Sequence, residues 1–162
     1  MGLATFLPRG SKMEELVVRY MNGSSKLERH GAWIDLACAE DVEMKRGDVR
    51  VIPFGINVKM PEGCEGIIAP RSSTCLKHGL IQANSIGVIE NDYCGNDDVW
   101  GFVAYAVRDT FVPAGTRIAQ FRIQKMMPEV RIVETDDMGC ASRGGYGSTG
   151  TFANEGVRRE DN

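Results

Sequence analysis

The sequence predicts an all-β sandwich or barrel, and three observations carry that expectation. Apolar stretches are short and recur at roughly ten-residue spacing, with turn residues between them. Glycine, 19 of 162 residues, sits largely in the gaps between those runs, where turns need backbone angles that side chains resist. No stretch carries the periodicity of a long amphipathic helix, and no internal repeat is present.

Along the chain, the first dozen residues, MGLATFLPRGSK, precede a second methionine, Met13, after which MEELVVRYM reads as a first strand. Residues 1–12 are therefore expected to be an appended leader or a disordered N-terminus. A β domain is expected over 13–133, with strands at 16–19, 34–38, 49–53, 56–60, 67–69, 80–82, 85–89, 102–107, 117–123 and 130–133. Within it Ile56, Val58 and Met60 alternate with Asn57 and Lys59, as on a half-buried strand. One short helix is expected over 73–78, stopped by Gly79. Residues 134–162 are polar and glycine-rich with few apolar anchors, the composition of a flexible C-terminal arm.

The composition narrows the function classes. A formal charge of -3 and a pI near 5.5 give no electrostatic footprint for nucleic acid, so none is expected as a partner. No apolar run is long enough to span a bilayer, and no membrane partner is expected. The cysteines (Cys38, Cys64, Cys75, Cys94, Cys140) are scattered and odd in number, and the histidines are only His30 and His78. That argues against a zinc site and a disulfide framework, and for a cytoplasmic protein with reduced thiols.

Several segments could carry chemistry. In APRSSTCLKHG a strand runs into Arg71, Ser72 and Ser73 at the start of the short helix. Unpaired N–H groups, a guanidinium and two hydroxyls there suit phosphate, although a serine N-cap beside a solvated arginine gives the same pattern. RGGYGSTG joins Arg143, Tyr146, Ser148 and Thr149 to glycines whose N–H groups can wrap an anion. It lacks the lysine and the strand–helix context of a Walker A loop, and by composition alone it is a tail. Gln120 in TRIAQFRI and Asp35 in AWIDLACA are polar residues in apolar runs, each needing a partner if buried. In NSIGVIENDYCG an apolar strand stops at Glu90, with Asp92 and Tyr93 close behind. Either this is a polar turn, or the strand delivers a carboxylate to a site.

Taken in order, AWIDLACA, APRSSTCLKHG, NSIGVIENDYCG, RIAQ and RGGYGSTG resemble the five motifs of the trimeric deoxyuridine triphosphate nucleotidohydrolases, the dUTPases. Any one motif is weak; five in order over nearly the whole chain are specific. The resemblance implies a jelly-roll-like β-barrel or sandwich that assembles as a homotrimer, with sites between subunits and the arm closing over a neighbour. It implies hydrolysis of dUTP to dUMP and pyrophosphate, with Mg2+ on the triphosphate.

The resemblance also implies roles residue by residue. Arg71, Ser72, Ser73 and Gln120 match the phosphate contacts, and Asn84 the residue that reads uracil. Gly87, Val88 and Ile89 form the strand of the substrate pocket, and Tyr93 packs on the deoxyribose and leaves no room for a 2′-hydroxyl. Arg143, Gly145, Tyr146, Gly147, Ser148 and Thr149 belong to the arm, Tyr146 stacking on uracil and the others clamping phosphates. Asp35 stands near the metal's water shell. Glu90 stands where the family has an aspartate that activates the attacking water, so the strand ends in a carboxylate because an in-line displacement needs a positioned base. Asp92 is then a turn acid.

The chain departs from the family pattern at Glu90 itself, in the spacing from Arg143 to Tyr146, two residues shorter than usual, and in the loop GNDDVWG with Trp100. Two other readings stay open. The dCTP deaminases share the fold and an RSS-like motif, but their catalytic glutamate falls where this chain has Tyr105, and they lack such an arm. A dUTP-binding regulatory protein with weakened catalysis is the other.

Overall fold

A computed structural model of the chain describes residues 14–144. Among them run β1 (Val17–Tyr20), β2 (Glu28–His30), β3 (Trp33–Ala37), β4 (Val42–Met44), β5 (Val49–Pro53), β6 (Ile56–Lys59) and β7 (Cys64–Pro70). The helix α1 (Thr74–His78) follows, then β8 (Leu80–Gln82), β9 (Gly87–Ile89), β10 (Gly101–Ala106), β11 (Thr110–Val112) and β12 (Arg117–Lys125). Every pairing is antiparallel. The sheets are β2-β3-β12-β7-β9, β5-β10-β8, β1-β6 and β11-β4. This all-β, jelly-roll-like arrangement is the one expected. No helix among the described residues is long and apolar enough to cross a membrane.

The core follows from alternation along the strands. On β10, Phe102, Ala104 and Ala106 are fully buried while Val103 and Tyr105 face the other way, as a period of two requires. Phe54, Phe102, Phe121 and Trp100 are its largest side chains, and Trp100 meets Phe121 edge-to-face at 5.1 Å between ring centroids. The helix stops at Gly79, whose φ of 64° closes it with an N–H bond to the Cys75 carbonyl.

Two expectations need correction. β2, β4 and β11 lie outside the expected strands: β2 is polar and exposed, and β4 and β11 are three-residue strands paired with each other. Residues 130–133 form no strand, although VRIV alternates; Val130, Ile132 and Val133 are exposed and pair with nothing among the described residues. The compact unit that holds all the strands ends at Met127. From Pro128 a second unit begins, whose described part carries only local turn bonds around Asp137.

Candidate functional site

At the end of β7 the chain turns from Pro70 through Arg71, Ser72 and Ser73 into α1. Ser73 occupies the N-cap position without a side-chain capping bond, so its hydroxyl is not spent on the helix. The corner is fixed from below by Thr74, fully buried, whose hydroxyl donates to the Ile118 carbonyl at 2.6 Å. The Arg71 N–H reaches the same carbonyl at 3.4 Å. Ile118 lies where the β12–β3 register slips between Arg117 and Ala119, an irregularity of the kind that re-aims groups beside sites.

Asp35 lies beneath this corner. β12 holds Gln120 opposite Asp35 on one side and Ala69 on the other. Asp35 is buried, and its two oxygens meet Arg71 Nε and Arg117 Nη1, each at 3.3 Å. Burying that carboxylate alone would be costly, and two guanidinium groups offset the penalty. They keep 36% and 41% of their side-chain exposure, so each can hold Asp35 and still face an anion. Arg117 Nη2 also pairs with Glu28 at 3.0 Å, and Nη1 stands 3.1 Å from His30 Nε2. Gln120 is half-buried and donates to the Pro70 carbonyl at 3.3 Å. Thus Arg71, Asp35 and Gln120 come together with Ser72 and Ser73 beside them. Arg117, Thr74, Glu28 and His30 complete the group without having been expected; for Arg117 the signal was its place at the head of RIAQ.

The second group surrounds a cavity of ≈ 390 Å³ lined by Val51, Val88, Ile89, Glu90, Asp92, Tyr93, Val99, Trp100 and Gly101. β9 delivers Val88 and Ile89 to it. Gly87, at the head of β9, lies so close to β7 that an added Cβ would stand 3.0 Å from Ile68 Cβ and 3.1 Å from Gln82 Nε2. Glu90 is exposed, and its carboxylate has neither an ion pair nor a hydrogen bond among the described residues. Tyr93 is 41% exposed, and its hydroxyl donates to the Val99 carbonyl at 3.4 Å. Trp100 reaches this cavity from the core rather than from the surface. Asn84 is exposed in the β8–β9 turn, next to Ser85 at a left-handed φ of 62°, and it does not line the cavity. Arg143 is exposed in the second unit; Gly145, Tyr146, Gly147, Ser148 and Thr149 lie outside the described residues.

The two groups stand at opposite ends of one strand. Ile89 pairs with Gly66, so Glu90 is level with Glu65, whereas Arg71 follows Pro70 at the far end of β7. Six residues of extended chain separate these levels, roughly 20 Å at about 3.3 Å per residue. One chain therefore presents two half-sites, one cationic and suited to phosphates, the other a carboxylate beside an aromatic.

The chain matches known proteins over most of its length. The dUTPase family model matches residues 24–150. The SPbeta prophage-derived deoxyuridine 5'-triphosphate nucleotidohydrolase YosS of Bacillus subtilis is 46% identical over 141 residues, 85% of this chain and 99% of that protein. The Rickettsia prowazekii deoxyuridine 5'-triphosphate nucleotidohydrolase is 39% identical over 127 residues, 75% and 83% of the two chains. Among solved structures, a mutant dUTPase from Staphylococcus bacteriophage 80alpha with dUpNHpp shares the fold at a TM-score of 0.70 and 22% identity, over 85% of this chain and 99% of that one. A mutant dUTPase from phage phi11 of S. aureus, which coordinates a structural Mg(II) ion, superposes at 0.67 with 22% identity, over 75% and 98%.

Proposed function

The chain belongs to the dUTPase family, and we propose that it hydrolyses dUTP to dUMP and pyrophosphate with Glu90 as general base. Glu90 takes a proton from water as the water oxygen attacks the α-phosphorus, and the α–β bridging oxygen leaves with pyrophosphate. The observation that carries this role is an exposed carboxylate lining a cavity, with no hydrogen-bond or ion-pair partner among the described residues. Arg71, Ser72, Ser73 and Gln120 hold the phosphates, and Asp35 keeps Arg71 and Arg117 aimed at them. Asn84 reads uracil, Val88 and Ile89 wall the pocket, and Tyr93, oriented through Val99, excludes a 2′-hydroxyl. Arg143, Gly145, Tyr146, Gly147, Ser148 and Thr149 close the site from the arm.

The half-sites, roughly 20 Å apart along β7, support a homotrimer in which Glu90 of one copy meets Arg71 of another. The outward face of β5-β10-β8 supports it too. Val51 is opposite Val103, and Tyr105 opposite both Val49 and Ile81; Val49, Val51 and Ile81 are exposed in the single chain. An apolar stripe of this kind marks an association surface, and Val51 joins it to the Glu90 cavity.

Mg2+ fits as an ion carried by the triphosphate. Among the described residues no three of His, Cys, Asp or Glu are grouped to hold a metal, and both Asp35 oxygens already face guanidinium groups. Asp35 would then meet the ion only through water, and the bound ion would neutralise phosphate charge. Five free cysteines agree with a cytoplasmic setting. Deamination draws no support, since β10 has Tyr105 between Ala104 and Ala106 and no carboxylate.

Pyrophosphate release from dUTP, measured beside UTP and dCTP, tests the function. Turnover of dUTP alone is expected; ammonia from dCTP without pyrophosphate from dUTP would overturn it.

A further inference from the structure

We propose that Asn91 is a positioning residue for Glu90. After Ile89 the β7–β9 ladder ends, and the chain turns with the Tyr93 N–H on the Glu90 carbonyl at 3.2 Å. The base therefore sits on the first residue beyond the sheet, where backbone pairing no longer fixes it. Asn91 supplies the missing attachment. Its Nδ2 donates to the Pro61 carbonyl at 2.7 Å and to the Cys64 carbonyl at 2.8 Å. Both N–H bonds of the amide are spent on the turn between β6 and β7, which is itself closed by Cys64 N–H on Pro61 O at 3.2 Å. By register Asn91 is level with Cys64, so its side chain continues the attachment of β9 to β7 two residues past the last ladder pair.

Glu90 is thus gripped between the Ile89–Gly66 pair and the Asn91 amide. Its carboxylate stands on one more rotatable bond than an aspartate's would, so its position depends more heavily on a fixed backbone. Asn91 does not line the Glu90 cavity, is half-buried, and has its amide nitrogen committed to two backbone carbonyls. Its effect passes through Glu90.

The inference rests on the reading of Glu90 as the base, and one experiment separates the two. Steady-state dUTP hydrolysis is measured on the full chain for Asn91→Ala, Asn91→Leu, Glu90→Gln and the Asn91→Ala/Glu90→Gln double variant, with melting curves on each. Asn91→Ala and the size-matched Asn91→Leu should each lose about tenfold or more in kcat, the scale for a base misplaced by a fraction of an ångström, with KM within about twofold. In the Glu90→Gln background Asn91→Ala should cost nothing further, since residues acting as a unit are not additive. A wild-type kcat in both Asn91 variants, or a full second loss in the double variant, would overturn the proposal. A wild-type kcat in Glu90→Gln would instead remove the base assignment, and this inference with it.

Discussion

At the corner between β7 and α1, the backbone of Arg71 and the buried hydroxyl of Thr74 share one carbonyl, and Asp35 locks two arginines from beneath. At the turn after β9 there is no ladder and no ion pair among the described residues. Side-chain hydrogen bonds to backbone carbonyls do the holding: Asn91 grips the β6–β7 turn, buried Asn57 donates to the Gly95 carbonyl at 3.1 Å, and the Arg19 guanidinium donates to the Asn96 carbonyl at 2.8 Å. The first region is stabilised by charges that stay partly exposed, so on the proposed function stability and ligand affinity are coupled there. The second leaves its carboxylate without a partner among the described residues and places the restraint on neighbours. A base must stay able to take a proton, and a salt bridge would oppose that.

The largest expected effect falls on the second region. Glu90→Gln should lower dUTP hydrolysis by at least roughly a hundredfold, the scale of a positioned base, while the melting temperature stays put because Glu90 holds nothing. Asp92→Asn should do far less. Pyrophosphate release read beside a melting curve separates rate from fold, and a reversed pair of effects would shift the site by two residues.

Asp35→Asn should behave in the opposite sense. It leaves Arg71 and Arg117 facing a neutral amide, and should cost about 2 kcal/mol in a denaturant titration, less than breaking a wholly buried pair, since both guanidinium groups keep solvent. Nucleotide affinity should fall with it. An unchanged midpoint would mean that the corner is held by the Ile118 carbonyl alone.

Tyr93→Ala removes the aromatic wall of the cavity. The preference for dUTP over UTP should shrink by about tenfold, the discrimination expected from one close contact in a pocket. Competition kinetics with the two nucleotides measure it, and an unaltered ratio would take Tyr93 out of the sugar pocket.

The smallest effect is at the end of α1. Burial first, and then the charges of Lys77 and Arg108, hold the His78 pKa below its ordinary 6.5. As pH falls through that value the unfolded chain takes up the proton before the folded chain does, so stability declines on the acid side and is unaffected above it. His78→Gln should flatten that decline in melting temperatures taken between pH 7.5 and 5.5; an identical slope would remove His78 from the acid response.

Legibility in the sequence followed the same division. Strands such as β5 and β8 carry their boundaries in apolar residues and turns, and match the expected spans residue for residue. VRIV at 130–133 has the same alternation but no pairing partner among the described residues, and alternation alone cannot supply one. Glu90, Arg71 and Gln120 were visible because they sit inside motifs. Asn91 was not: its partners are 27 and 30 residues away, and an asparagine between two acids reads as a turn residue. Arg19 and Asn57 reach a loop 77 and 38 residues distant, contacts that no local pattern encodes.

The central claim is that one chain carries two half-sites which only separate copies can join. Arg71→Ala damages one half-site and Glu90→Gln the other, so each purified variant should be nearly inactive on dUTP. Unfolded together and refolded as a mixture, they should regain pyrophosphate release, because some sites then draw Glu90 from one copy and Arg71 from another. A mixture as inactive as its parents, while size-exclusion chromatography of differently tagged chains shows mixed oligomers, would contradict the account.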